Sequence, residues 1–255
     1  ESQGSCLSTH GSILQKYVQL NRTSVQFGCP NGADDHQSYL SNQSSNILHL
    51  KLSYAFYRSF FFFRRIIEAE KEVEHSVFYS SFLNSLNLSL NEVGSTIQVI
   101  LCYGIGSIAA SVTSRFQLAL VLLLKKRFQA NVSIYDPIFS DLDKVLLNKF
   151  NLHVIAGPDN VKPEVNAETL VIFPHVPKEL IENFLQVNWQ RNLSKCYLLC
   201  NSFSKIREDN LDLILQKNYY HLYQAFNFHS EYRISNNFRF KDVFNDLSIH
   251  IFSTV

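Results

Sequence analysis

Two glycines one residue apart, Gly104 and Gly106, followed by Ser107, interrupt an apolar run in CYGIGS (102–107). Glycine lets backbone N–H groups approach an anion or a ribose with no Cβ in the way, and a helix that follows adds free N–H groups and a positive dipole end. The pattern is G-x-G-S and not G-x-G-x-x-G, although Ala109 stands where some dinucleotide fingerprints accept alanine. A tight strand-to-helix corner needs the same residues, so the stretch reads equally as cradle or corner. Asp136 lies 30 residues beyond Gly106. An acidic residue at that strand tip bonds ribose hydroxyls in dinucleotide and S-adenosylmethionine sites, at a usual offset of about 20 residues. The competing role is to cap the turn that Asp136 makes with Pro137. Histidine is the side chain that ordinarily titrates near neutrality, so His175 could act as acid, base or ligand, or make a structural hydrogen bond. Asn201, Ser202 and Asp246 complete the set of polar residues at the ends of apolar runs.

Positioning these residues requires strands that end at a common edge. From residue 96 onward the chain alternates continuous apolar runs with amphipathic stretches. Strands are expected over 96–103, 132–135, 153–156, 169–173, 195–201 and 247–252, and helices over 107–128, 140–150, 177–189 and 208–226. That rhythm predicts an α/β fold, a doubly wound, mostly parallel Rossmann-like sheet of about six strands. In the common order 3-2-1-4-5-6, ligands bind beyond the carboxyl ends of the strands where the order reverses. Gly104, Gly106, Ser107, Asp136, His175, Asn201 and Ser202 then share one edge. Asp246 joins them if the last strand runs antiparallel. His250 lies two pleats from Asp246, and the pair could serve a site or a buried polar network.

Ahead of the sheet, the period-3.6 pattern predicts a leading helix over 58–90. In it, SFFFFRRII (59–67) buries an aromatic face; a membrane-surface helix is the weaker alternative. Residues 1–57 are rich in Ser, Asn, Gln and Gly and read as a polar, partly ordered extension.

Composition narrows the function classes. At 255 residues with 46% hydrophobic content the chain can bury a sizeable core. A net charge of +1 gives no basic field that would recommend a nucleic-acid partner. No apolar run approaches the ~20 residues that span a bilayer. The five cysteines do not cluster: Cys196 and Cys200 are four residues apart on an expected strand, about 13 Å, too far for a disulfide or a shared zinc. They read as reduced core thiols, which favours a cytoplasmic setting, with the nucleus also open. No spacing of His and carboxylate predicts a metal site. No G-x-S-x-G elbow or Walker lysine is present.

The ordered motifs CYGIGS (102–107), SRFQLALVLLL (114–124), YDPIFS (135–140), IFPH (172–175), NW (188–189), CNSF (200–203) and DVFNDLSIHIF (242–252) resemble the Sensitivity to Red Light Reduced-like (SRR-like) domain family. The resemblance covers residues from about 60 to 252, and the polar first segment is similar to that of a fungal member related to the benomyl-sensitivity protein. Two departures stand out. The family places a methionine between Phe173 and Pro174, in a chain that here contains none, and a glycine where this chain has Cys200. The resemblance implies a regulatory role: light signalling and the clock in plants, haem metabolism and clock output in animals, microtubule-related processes in fungi. It supplies no catalytic residues. It implies shared features at 104–107, Asp136, His175, 201–203 and Asp246. The expected function is therefore regulatory, through a Rossmann-like domain that binds a nucleotide-type small molecule. S-adenosylmethionine is favoured slightly over NAD, because the third glycine used for pyrophosphate is missing, and haem enters by family analogy. The alternatives are a protein-interaction adaptor with a vestigial pocket and a methyltransferase-like enzyme. Protein partners are expected in either regulatory reading.

Overall fold

The computed structural model describes residues 33–93, 96–157, 164–189 and 192–252, with side chains from residue 54 on, those of 92 and 93 excepted. The expected extension 1–57 lies outside the described residues as far as residue 32. The chain divides into two units, Glu1–Tyr54 and Ala55–Val255, and the second holds every described strand.

Seven strands form one sheet: β1 (Val99–Tyr103), β2 (Asn131–Tyr135), β3 (His153–Val154), β4 (Thr169–Ile172), β5 (Cys196–Asn201), β6 (His229–Arg233) and β7 (Leu247–Phe252). Their order is β3-β2-β1-β4-β5-β7-β6. The first five pair in parallel; β7 pairs antiparallel with both β5 and β6. The doubly wound Rossmann-like sheet expected from the sequence is present, with its last strand antiparallel. The order reverses between β1 and β4, which makes the carboxyl ends of those strands the switch point.

Alternate residues of the central strands feed two cores, one on each face. Ile100, Cys102, Ile134, Leu170, Ile172, Leu199 and Ile249 face one side; Tyr103, Val171, Phe173, Leu198, Cys200 and Phe252 face the other. Burial on both faces is why these strands read as unbroken apolar runs. β6 was not expected. Its sequence, HSEYR, is polar and only partly buried because it is an edge strand.

The described α-helices are α1 (Ala33–Glu74), α2 (Val77–Val93), α3 (Val112–Phe128), α4 (Asp141–Lys149), α5 (Lys178–Asn188), α6 (Phe203–Glu208), α7 (Asp212–Asn218) and α8 (Tyr220–Ala225). The single leading helix expected over 58–90 is two. Ser76 Oγ donates to Val73 O at 2.6 Å and accepts from Tyr79 N at 3.1 Å, closing one helix and opening the next. Of the aromatic run in α1, Phe62 and Phe63 pack on the core whereas Phe60 and Phe61 are exposed, so only half of the expected face is buried. The helix expected from 107 starts at Val112, capped by Ser111, whose hydroxyl accepts from Ser114 N at 3.2 Å. The helix expected over 208–226 is two short ones, α7 and α8, with α6 ahead of them. Ser202 caps α6 by accepting from Lys205 N. Tyr219, with extended-side φ −137° and ψ 58°, separates α7 from α8.

Three described cysteines, Cys102, Cys196 and Cys200, are free and buried. Burial pushes the Cys196 thiol up to about 12. Among the described residues no helix is long and apolar enough to cross a membrane.

Candidate functional site

The carboxyl edge of the sheet carries all eight residues singled out from the sequence, and the structure sorts them into two groups.

The first group is the glycine turn after β1. Gly104 and Gly106 have φ +74° and +79°, a region that L side chains avoid. The turn is packed by the chain itself. A Cβ at Gly104 would stand 2.6 Å from Val176 Cγ1, and one at Gly106 would stand 2.8 Å from Ser114 Oγ. The backbone N–H groups also have internal partners. Gly104 N donates to Tyr135 O at 3.1 Å, and Gly106 N donates to Asp136 Oδ2 at 2.7 Å. The other Asp136 oxygen accepts from Ile138 N at 3.0 Å. Asp136 is buried, with both oxygens engaged in holding the turn and its own loop.

Behind it lies a residue whose wider role the sequence did not show. Asp143 is fully buried on α4. It accepts from Ser140 N and Ser140 Oγ, part of a capping box that opens α4. It also accepts from Ser107 Oγ at 3.0 Å and Ala109 N at 2.8 Å, more than thirty residues away in sequence. Burial alone would raise its carboxyl, but the hydrogen bonds from Ser140, Ala109 and Ser107 outweigh that and hold it below the usual carboxylate range. Ser107 is thus a structural tie.

His175 lies between the groups. It is exposed, with φ +54°, and its Nε2 lies 3.3 Å from Val243 O, which also accepts from buried Gln117 Nε2.

The second group is at the tips of β5 and β7. Asn201, Ser202 and Asp246 line a cavity of about 320 Å³ with Lys178, Lys205, Ile206, Asp209 and Asn210. The antiparallel course of β7 brings Asp246 there, because its start pairs with the end of β5 at Asn201↔Leu247. Ser202 N donates to Asp246 O at 2.8 Å and fixes the two tips together. Asp246 has φ +51° and accepts from Asn245 Nδ2 at 3.1 Å. Asn201 Oδ1 is buried without a hydrogen-bond partner. Lys178, in the first turn of α5, donates to Asn210 Oδ1 at 2.8 Å, and Lys205 stands 3.7 Å from Asp209 with both side chains about half exposed. The lysines were not anticipated, since a lysine opening a helix reads as a solvated residue.

His250 does not pair with Asp246. It is fully buried beside Phe203, ring centroids 3.9 Å apart, and faces His229 and Glu231 of β6. Burial, reinforced by nearby His229, pushes its imidazole down to about 3. Burial would raise the Glu231 carboxyl, yet the neighbouring His229 and the hydroxyls of Ser202 and Ser204 hold it well below the usual range. The spacing H-x-E in 229–231 was the available signal, hidden by the missed strand. The Asn188-Trp189 motif is structural: Asn188 is buried, accepts from Val165 N and donates to Phe184 O, pinning the segment before β4 to α5.

Residues 69–251 match the SRR1 domain, and the chain belongs to that family. It is 33% identical over 151 residues to Protein SENSITIVITY TO RED LIGHT REDUCED 1 of Arabidopsis thaliana, covering 54% of each chain. It is 27% identical over 183 residues to an SRR1-like protein of Drosophila melanogaster, covering 71% of this chain and 64% of the fly protein. An SRR1-like protein of Mus musculus is 29% identical over 191 residues, covering 61% of this chain and 77% of the mouse protein. The chain thus spans about half the length of the plant relative. Among solved structures, a mutant of MtNAS in complex with S-adenosylmethionine aligns with a TM-score of 0.38 at 15% identity, over 75% of this chain and 73% of that one, too distant to bear on function.

Proposed function

We propose that this SRR1-family chain is a regulatory protein that binds a small nucleotide-type ligand at the β5–β7 end of the carboxyl edge, and that the glycine turn is the frame of the site. The observation that carries the reading is the cavity: three strand-tip residues picked out by topology, Asn201, Ser202 and Asp246, meet two lysines in one concavity. The chemistry suits a phosphorylated or carboxylated sugar-like group. Lys178 and Lys205 complement an anion, while Asp246 accepts from hydroxyls or amines. About 320 Å³ is at the lower end for small-molecule sites, so it suits a fragment of a dinucleotide better than a whole one. S-adenosylmethionine, NAD, NADP and haem remain the cofactor classes to test, and a methyltransferase-like activity would draw on the same cavity. We place this role in the cytoplasm or nucleus, consistent with buried free thiols.

The test is a thermal-shift and calorimetric panel of S-adenosylmethionine, NAD, NADP, haem and adenosine monophosphate. A ligand at about 100 times its Kd adds ~2.7 kcal/mol of stability, a rise of roughly 5–10 °C for a chain this size. The rise should disappear in Lys178→Ala/Lys205→Ala. No shift with any of the five would sink the reading.

An adaptor role is the second reading, and one observation favours it. Phe56 and Tyr57 of α1 are 72% and 58% exposed, and Phe60 and Phe61 are exposed too. Such a run of aromatics suits a protein partner. Phe56→Ser/Phe61→Ser would then remove partner capture and leave ligand shifts unchanged.

A further inference from the structure

The register of β6 and β7 sets Glu231 directly across from His250, and the two-residue period of a strand sets His229 on the same face as Glu231. One ring nitrogen of each histidine and one Glu231 oxygen lie within 4.8 Å of one another. His229 Nδ1 lies 2.8 Å from Ala225 O, and His250 Nε2 lies 3.3 Å from Asn201 O. A carbonyl oxygen only accepts, so those nitrogens carry the protons. The opposite nitrogens, His229 Nε2 and His250 Nδ1, are then bare lone pairs, and both are buried without a hydrogen-bond partner. His229 Nε2 stands 4.0 Å from Glu231 Oε2, so a lone pair faces a carboxylate. A network built only for structure would set donors against acceptors there. A cation resolves the arrangement.

We propose that His229, Glu231 and His250 bind one divalent transition-metal ion of the zinc class. Two neutral imidazoles and a carboxylate are a zinc-type ligand set. Ligands held at ~2.1 Å around a tetrahedral ion stand ~3.4 Å apart, so the three side chains need close by only about an ångström. The surrounding groups match what metal ligands require. Each histidine donates its other ring N–H to a backbone carbonyl, fixing tautomer and ring orientation. Glu231 is oriented by Ser204 N and Ser204 Oγ at Oε2 and by Ser248 Oγ at Oε1. Phe203 covers the histidines on one side. The ion would tie edge strand β6 to β7 and leave a fourth position for water. This site is separate from the cavity and stands whether or not a ligand binds there.

The test uses the full chain, stripped with a chelator and titrated with cobalt(II), then zinc. One equivalent of cobalt should give the visible bands of a nitrogen- and oxygen-ligated ion, displaced by zinc. His229→Asn and Glu231→Gln should each weaken binding tenfold or more, while His175→Asn and His221→Asn leave it unchanged. Replacements at buried positions can impair folding, so X-ray absorption at the zinc edge of the unmodified chain supplies a second reading. A shell with two imidazoles and no sulfur supports the assignment. Sulfur in the shell, sub-stoichiometric cobalt, or binding indifferent to both His229→Asn and Glu231→Gln in folded protein would overturn it.

Discussion

The glycine turn and the β5–β7–β6 side of the sheet differ in how their polar groups are satisfied. At the glycine turn, Asp136 and Asp143 together engage Gly106, Ile138, Ser107, Ala109 and Ser140, and Val176 and Ser114 approach the two glycines so closely that neither has room for a Cβ. On the β5–β7–β6 side, Asn201 Oδ1, His229 Nε2 and His250 Nδ1 are buried without partners, and the strand tips at Asn201 and Asp246 line a cavity. A saturated network resists change and binds nothing further; an unsaturated one has capacity left for a ligand or an ion.

Mutations should separate the two ends. The largest effect is expected at Asp143. Its replacement by alanine strands several buried donors at once and should cost ~4 kcal/mol in chemical denaturation. The pH dependence has a definite sign. A carboxyl held below its ordinary value stabilises the fold above about pH 4, and that contribution is lost as pH falls through the depressed folded value. The gap between wild type and Asp143→Asn should therefore narrow below pH 4; a constant gap would break this account.

Gly104→Ala comes next. It combines positive φ with the 2.6 Å approach to Val176 and should cost ~3 kcal/mol. Val176→Ala in the same chain should recover the steric part and leave the conformational part. Replacing Lys178 and Lys205 by alanine should change stability by less than ~1 kcal/mol, since half-exposed pairs contribute little, while abolishing the ligand-induced rise in Tm. The smallest effect belongs to His175→Gly. Glycine relieves the left-handed backbone but loses more entropy on folding, so a change within about 0.5 kcal/mol is expected, with no change in ligand affinity.

Much of this edge was legible from sequence because buried parallel strands are apolar throughout. β1, β2, β4 and β5 announce themselves, and once their order is assumed their tips are known. That is how Asn201 and Ser202 stand out, while Asp246 joins them only through the antiparallel course of β7. What filled the glycine turn was not legible, because Val176 and Ser114 reach it through tertiary packing. Asp143 meets Ser107 and Ala109 from more than thirty residues away, a relation no local pattern carries. β6 has no hydrophobic alternation, and without it His229 and Glu231 had no visible relation to His250.

The most direct measurement of the central claim is a map of backbone amide shifts on adding the ligand that raises Tm. The account predicts perturbations at Asn201, Ser202, Lys205 and Asp246, with Gly104, Gly106 and Ile138 unmoved. Perturbation centred on Gly104 and Gly106, with the β5–β7 tips silent, would contradict it.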